Sequence, residues 1–247
     1  MKKLQVLTII ISAFFILTGF KNCPQGDEVP YGAVYEDNGA NTYIVGDSRI
    51  YFMRESMENA SDFNWIAVCG SGYYHLENQF KSILDAEDLN GKTIIIESGL
   101  NDIIFAGGAD SAYVWYYSFY TTTAQDYIKR GATVKMLKLL PILPCSDHNI
   151  EMNDTVAFYN DALAERIPSN IEVIDLSDIS LGYVDELHFD GDTSVNLYHG
   201  LQKYKAKDKS VDKKALAEEK KRQKKEEFIK RAKMKVKSRI RKRKTQE

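Results

Sequence analysis

From residue 42 onward, short apolar runs alternate with stretches of helical periodicity. Residues 42–45 (TYIV), 65–68 (WIAV), 93–97 (TIIIE), 133–139 and 171–175 (IEVID) are rich in β-branched side chains, which predicts five strands. Residues 49–59, 74–84, 110–130 and 153–165 suit helices, and His199 falls on a further, C-terminal one. In 74–84 the apolar positions are Leu76, Phe80, Ile83 and Leu84. Gly131 stands where a helix C-cap is expected, and Pro168 ends the helix before it. Strands this uniformly apolar are buried on both faces, and their alternation with helices predicts a parallel sheet between two helical layers. The expected fold is therefore α/β, a three-layer α/β/α sandwich on a five-stranded parallel sheet. Ligands bind such sheets beyond the carboxyl ends of the strands, so the loops that follow strands are where chemistry is expected.

The flanks differ from this pattern. Residues 4–20 are almost wholly apolar between Met1-Lys2-Lys3 and Lys21, the shape of a secretory signal. At about 1.5 Å per residue the same run would just span a bilayer core as an anchor. We therefore expect an extracytoplasmic protein, secreted or anchored by residues 1–22. Residues 23–40 read as a polar linker, 41–202 as one compact domain and 203–247 as a tail.

Charge sharpens that division. The 247-residue chain has a net charge of -2, but Lys203–Glu247 holds 21 Lys and Arg against 7 Asp and Glu. The tail thus carries +14 and the remainder -16. Such a tail, helical or disordered, is either a solvated appendage or an electrostatic anchor to anionic cell-wall polymer or lipid head groups. Nucleic acid is not expected for an exported chain, and would be the tail's partner only if the chain is not exported. Three cysteines exclude a full disulfide framework. No CxxC or Cys/His cluster has zinc spacing, so a metal site is not expected. Cys69 and Cys145, both near strand ends, leave open one disulfide or two buried thiols.

Four post-strand loops carry candidate chemistry. The first is Gly46-Asp47-Ser48-Arg49, which places a serine at a helix N-terminus, where backbone N–H groups favour negative charge. On its own, this pattern equally describes Ser or Asp capping a helix. The second, Cys69-Gly70-Ser71-Gly72-Tyr73, has glycines that allow close backbone approach. In the third, Ser98-Gly99-Leu100-Asn101-Asp102, the Asn101 amide could donate to an oxyanion or serve only the turn. The fourth is Asp185-Glu186-Leu187-His188, whose spacing lets an Asp bond one imidazole nitrogen and leave the other for a serine.

Taken together and in this order, the blocks Gly46-Asp47-Ser48, Gly70/Gly72, Gly99-Leu100-Asn101-Asp102 and Asp185-Glu186-Leu187-His188 resemble the SGNH hydrolase superfamily, the GDSL esterases and lipases. The resemblance covers roughly residues 41–200. It implies a flavodoxin-like sheet and a cofactor-free Ser-His-Asp mechanism, with Ser48 as nucleophile, His188 as base and Asp185 orienting it. It also implies an oxyanion hole from Ser48, one glycine (Gly72 in preference to Gly70) and Asn101. Arg49 stands where the name-giving motif has leucine, a change expected to leave the chemistry alone. Small acyl esters, acetyl groups on polysaccharide among them, are the implied substrates. The same triad could serve an acyltransferase, and a vestigial site would leave a polyanion-binding surface protein. His75 and His148 read as surface residues, and His199 as a packing or exposed residue. The aromatic run 113–120 reads as a helix with one core face in preference to a substrate wall.

Overall fold

The computed structural model of the chain describes residues 32–206. The five expected strands form: β2 (Thr42–Gly46), β3 (Asn64–Val68), β4 (Thr93–Glu97), β5 (Thr133–Leu137) and β6 (Glu172–Ile174). A sixth, β1 (Ala33–Glu36), comes from the stretch read as linker and pairs antiparallel with β3. All other pairings are parallel, in the order β1-β3-β2-β4-β5-β6. Leaving β1 aside, this is the flavodoxin-like strand order, whose direction of winding reverses between β2 and β4. The reversal places the loop after β2 beside the loop after β4, and these two loops carry Ser48 and Asn101.

The helices are α1 (Ser48–Glu55), a helical run α2 over residues 73–85, α3 (Gly108–Thr121), α4 (Thr123–Lys129), α5 (Asp147–Arg166) and α6 (Gly191–Leu201). Within α2, Leu76–Phe80 is a π-helical turn. A second π turn, Asp102–Ala106, follows Asn101. The expected helix over 110–130 is two helices. Thr121 and Thr122 turn their hydroxyls onto the carbonyls of Tyr117 and Ser118, and the backbone leaves helical geometry at Thr122. Threonine hydroxyls compete with the helix ladder in this way.

Alternate strand residues face two separate cores. Tyr43, Val45, Ile94, Ile96, Val134 and Met136 pack under α2, α3 and α5. Ile44, Trp65, Ala67, Ile95 and Leu137 pack on the opposite face with Ile50 and Met53 of α1 and Leu197, Tyr198 and Leu201 of α6. Burial on both sides is why the strands show no polar alternation. Residues 203–206, read as the start of the tail, are tied to the domain: Lys205 pairs with Asp62 at 2.8 Å, and the Ala206 N–H donates to Thr42.

Cys69 is a buried free thiol and Cys145 is disulfide-bonded, so these two do not pair with each other and only one of them is free. The expected signal or anchor, and the tail from residue 207, fall outside the described residues. Among the described residues no helix is long and apolar enough to cross a membrane.

Candidate active site

The four loops converge at the carboxyl edge of the sheet. Asp47 is the N-cap of α1 and accepts the Arg49 N–H at 2.9 Å. Capping thus falls to Asp47, and Ser48 occupies the first helical position with its hydroxyl free to face another loop. His188 Nε2 lies 2.9 Å from Ser48 Oγ, and His188 Nδ1 lies 2.7 Å from Asp185 Oδ2. All three side chains are buried. Asp185 Oδ1 accepts the backbone N–H groups of Leu187 and His188, both at 2.7 Å. Burial alone would raise the Asp185 pKa, but these donors and the imidazole outweigh it and hold the carboxyl below its ordinary range. Phe52, one turn along α1 from Ser48, meets the His188 ring edge-on at 5.1 Å.

Asn101 does not cap its helical turn. Its Nδ2 donates to the Ser71 carbonyl at 2.8 Å and, at a longer 3.3 Å, to Asp47 Oδ2. One amide therefore joins the first, second and third loops. Of the two candidate glycines, Gly70 is exposed and turns the loop with φ +73°, while Gly72 is buried. A Cβ on Gly72 would lie 2.6 Å from both oxygens of Asp102, so no larger residue fits without moving that carboxylate. Gly99 holds φ +128°, and a Cβ there would lie 2.7 Å from the Tyr159 hydroxyl.

Several residues not singled out by the motifs build the frame. Asp102 accepts the Tyr73 N–H at 2.8 Å and the Tyr116 hydroxyl at 2.8 Å, and Tyr116 in turn meets Ser98 Oγ at 2.7 Å. This fixes the glycine loop to the Asn101 loop. Tyr116 belongs to the aromatic run, whose Tyr116, Phe119 and Tyr120 are buried in the core as expected. Trp115 of the same helix stacks on Tyr73 at 5.8 Å. Beneath the nucleophile lie Asp47, Glu97 and Arg49, all buried. Burial, and for Glu97 also the neighbouring Asp47, pushes both carboxyls up, Glu97 strongly; burial pushes Arg49 down.

A cavity of about 290 Å³ beside β5 contains no triad residue. Its polar groups are occupied by the fold: Asn160 and Asn153 hold the backbone of Leu139 and Ile142, and Lys138 pairs with Asp161 and Asp175. Among the described residues no cluster of His, Cys, Asp or Glu could hold a metal ion.

The architecture matches solved structures at low sequence identity. A GDSL-like lipase from Bacteroides thetaiotaomicron VPI-5482 is 13% identical, with 69% of this chain and 90% of that chain covered at a TM-score of 0.53. An acetyl xylan esterase is 16% identical, covering 66% of this chain and 98% of that one at 0.50. The chain has the SGNH hydrolase fold. The C-terminal domain of Drosophila Oskar protein also matches, at 10% identity, 68% and 95% coverage and a TM-score of 0.50. No protein-family model and no curated protein matches the chain. The SGNH fold alone does not assign an activity, because activity resides in the side chains that a fold carries.

Proposed function

We propose that the chain is a serine esterase that cleaves small acyl esters through an acyl-enzyme on Ser48. The observation that carries this reading is the line of contacts from Asp185 through His188 to Ser48, at 2.7 and 2.9 Å. A serine hydroxyl is a weak nucleophile until a base takes its proton. His188 Nε2 takes it as Oγ attacks the ester carbonyl, and Asp185 holds the imidazole in the tautomer that leaves Nε2 free to accept. The resulting oxyanion is met by the N–H groups of Ser48 and Gly72 and by Asn101 Nδ2, which releases its long bond to Asp47. His188 then protonates the departing alcohol, and water, deprotonated by His188, frees the acid.

Acetyl groups on carbohydrate are the proposed substrate. The apolar run of residues 4–20 supports a site of action outside the cytoplasm, where polysaccharide is met. The stacked Tyr73 and Trp115 pair, on the helical run that follows Gly72 and on α3, offers aromatic surface suited to a sugar face. The basic tail would hold the enzyme on anionic polymer or lipid.

The test is hydrolysis of p-nitrophenyl esters from acetate to octanoate and of acetylated polysaccharide, beside Ser48→Ala, with a fluorophosphonate as label. Turnover and labelling that both vanish in the variant are expected, with acetate as the best ester. A folded protein that neither labels nor turns over would sink the reading. Labelling with product formed only when an acceptor glycan is added would make it an acyltransferase.

A further inference from the structure

Arg49 occupies a position where a leucine would be unremarkable, yet its guanidinium is buried at 4% exposure. Burying that charge is costly unless every donor is answered. Its Nε donates to the Leu187 carbonyl at 3.0 Å, Nη1 to Leu140 at 2.5 Å and Nη2 to Pro141 at 3.0 Å. Its plane lies over the Phe189 ring, 4.4 Å from the centroid. Leu187 and Phe189 are the two chain neighbours of His188. Leu140 and Pro141 follow β5, so they belong to the fixed frame of the sheet. Ser48 and Arg49 are consecutive residues of α1.

We propose that Arg49 is a positioning residue that couples the helix carrying Ser48 to the loop carrying His188, and so sets the contact between nucleophile and base. The loop is also held by the bridge between Tyr183 and Phe189 and by the Val184 and Asp190 N–H groups donating to the His188 and Gly182 carbonyls, and it is tied to the segment after β5 by the Leu143 N–H donating to the Glu186 carbonyl and the Tyr183 hydroxyl donating to the Pro141 carbonyl. These bonds shape the loop but do not attach it to α1. The Phe52–His188 ring contact reaches across the gap, but it is one apolar edge and sets no hydrogen-bond geometry. Arg49 ties α1 to both segments, by one directed bond and the Phe189 ring contact to the loop of His188 and by two directed bonds to the segment after β5. A lysine ammonium is a point donor and cannot reach carbonyls on two loops in a fixed fork. Asp47 and Glu97, with the Tyr183 ring and Asp185 nearby, are the acidic groups that face the cation.

This inference rests on the esterase reading, and the experiment separates the two. Full-length wild type, Arg49→Lys, Arg49→Met and Phe189→Leu are compared by kcat and KM on an aryl acetate, counted per fluorophosphonate-titrated Ser48. The far-downfield proton resonance of the His188–Asp185 bond is recorded for each. In both Arg49 variants kcat should fall roughly 10- to 100-fold, the cost of misplacing a reacting group by about 1 Å. KM should stay within about twofold, because no substrate contact is lost. The downfield resonance should broaden or vanish, and lysine should not rescue either readout. Phe189→Leu keeps the buried charges and should show the same split, several-fold in size. Wild-type kcat with an intact resonance in Arg49→Lys would overturn the proposal, as would a loss confined to KM. If either Arg49 variant fails to fold, Phe189→Leu decides: unchanged kcat and resonance there would also overturn it. A wild type that neither labels nor turns over would instead remove the esterase reading, and the resonance would still report the grip on His188.

Discussion

Asp185 holds His188 at two places at once: one carboxylate oxygen takes the ring Nδ1 and the other takes the residue's own backbone N–H, each at 2.7 Å. Ring and main chain are thereby fixed against a single rigid group, so the imidazole can neither flip nor swing without breaking the turn. Asp185→Asn would keep the shape and supply an amide donor toward Nδ1. That favours the tautomer with its proton on Nε2, facing Ser48, where a base is required. The expected result is a fall in kcat of about 10⁴-fold with the fold intact. Circular dichroism and single-turnover rates check the two halves of that statement; a loss under tenfold would remove Asp185 from the mechanism.

Asn101 spends one N–H on the Ser71 carbonyl at 2.8 Å and the other on Asp47 at 3.3 Å. The longer bond is the one an oxyanion can replace. Asn101→Ala should therefore lower kcat by about 10²–10³-fold. Pre-steady-state acylation should slow by the same factor. If acylation kept its rate, Asn101 would be a brace between loops and nothing more.

The hydroxyl of Tyr116 joins Ser98 Oγ to the Asp102 carboxylate, and Asp102 holds the Tyr73 N–H next to Gly72. Tyr116→Phe removes one donor from a buried carboxylate. The expected cost is about 1–3 kcal/mol, read as a lower urea midpoint with an unchanged slope. Gly72→Ala acts from the other side, since its Cβ would press on both Asp102 oxygens. It should combine a loss of stability with a loss of kcat, whereas Tyr116→Phe should act mainly on stability. Equal loss of kcat in the two variants would contradict this division.

The contacts that join Ser48, His188 and Asp185 could be anticipated because the loops that follow parallel strands all reach the same edge of the sheet, so order along the chain became proximity in space. What was hidden depends on partners with no sequence mark. Arg49 binds carbonyls 91, 92 and 138 residues away, and any residue could supply a carbonyl. β1 was hidden because only Val34 of its four residues is buried. An edge strand that buries one side chain carries no usable alternation. The break at Thr122 lies in a stretch that keeps its apolar spacing, so periodicity ran through it. The glycines of the second loop were read as allowing close backbone approach, and at Gly72 the neighbour that the backbone approaches is the Asp102 carboxylate.

Glu97 gives a prediction about pH rather than rate. It is buried beside Asp47, and burial first, then that neighbour, push its carboxyl well above the ordinary range. A carboxyl raised by folding keeps its proton in the native state at pH values where the unfolded chain has already lost it. The native state then binds more protons than the unfolded one, so stability falls as pH rises through this window. The window opens near the unfolded value, about pH 4.3, and closes at the raised native value. Glu97→Gln cannot titrate and retains an N–H donor toward Asp47. Its denaturation midpoint should match wild type near the opening of the window and exceed it increasingly toward neutral pH. Urea titrations at several pH values measure the difference directly. A gap that stayed constant with pH would mean that Glu97 is ionised in the folded protein, paired with Arg49 rather than sharing a proton with Asp47.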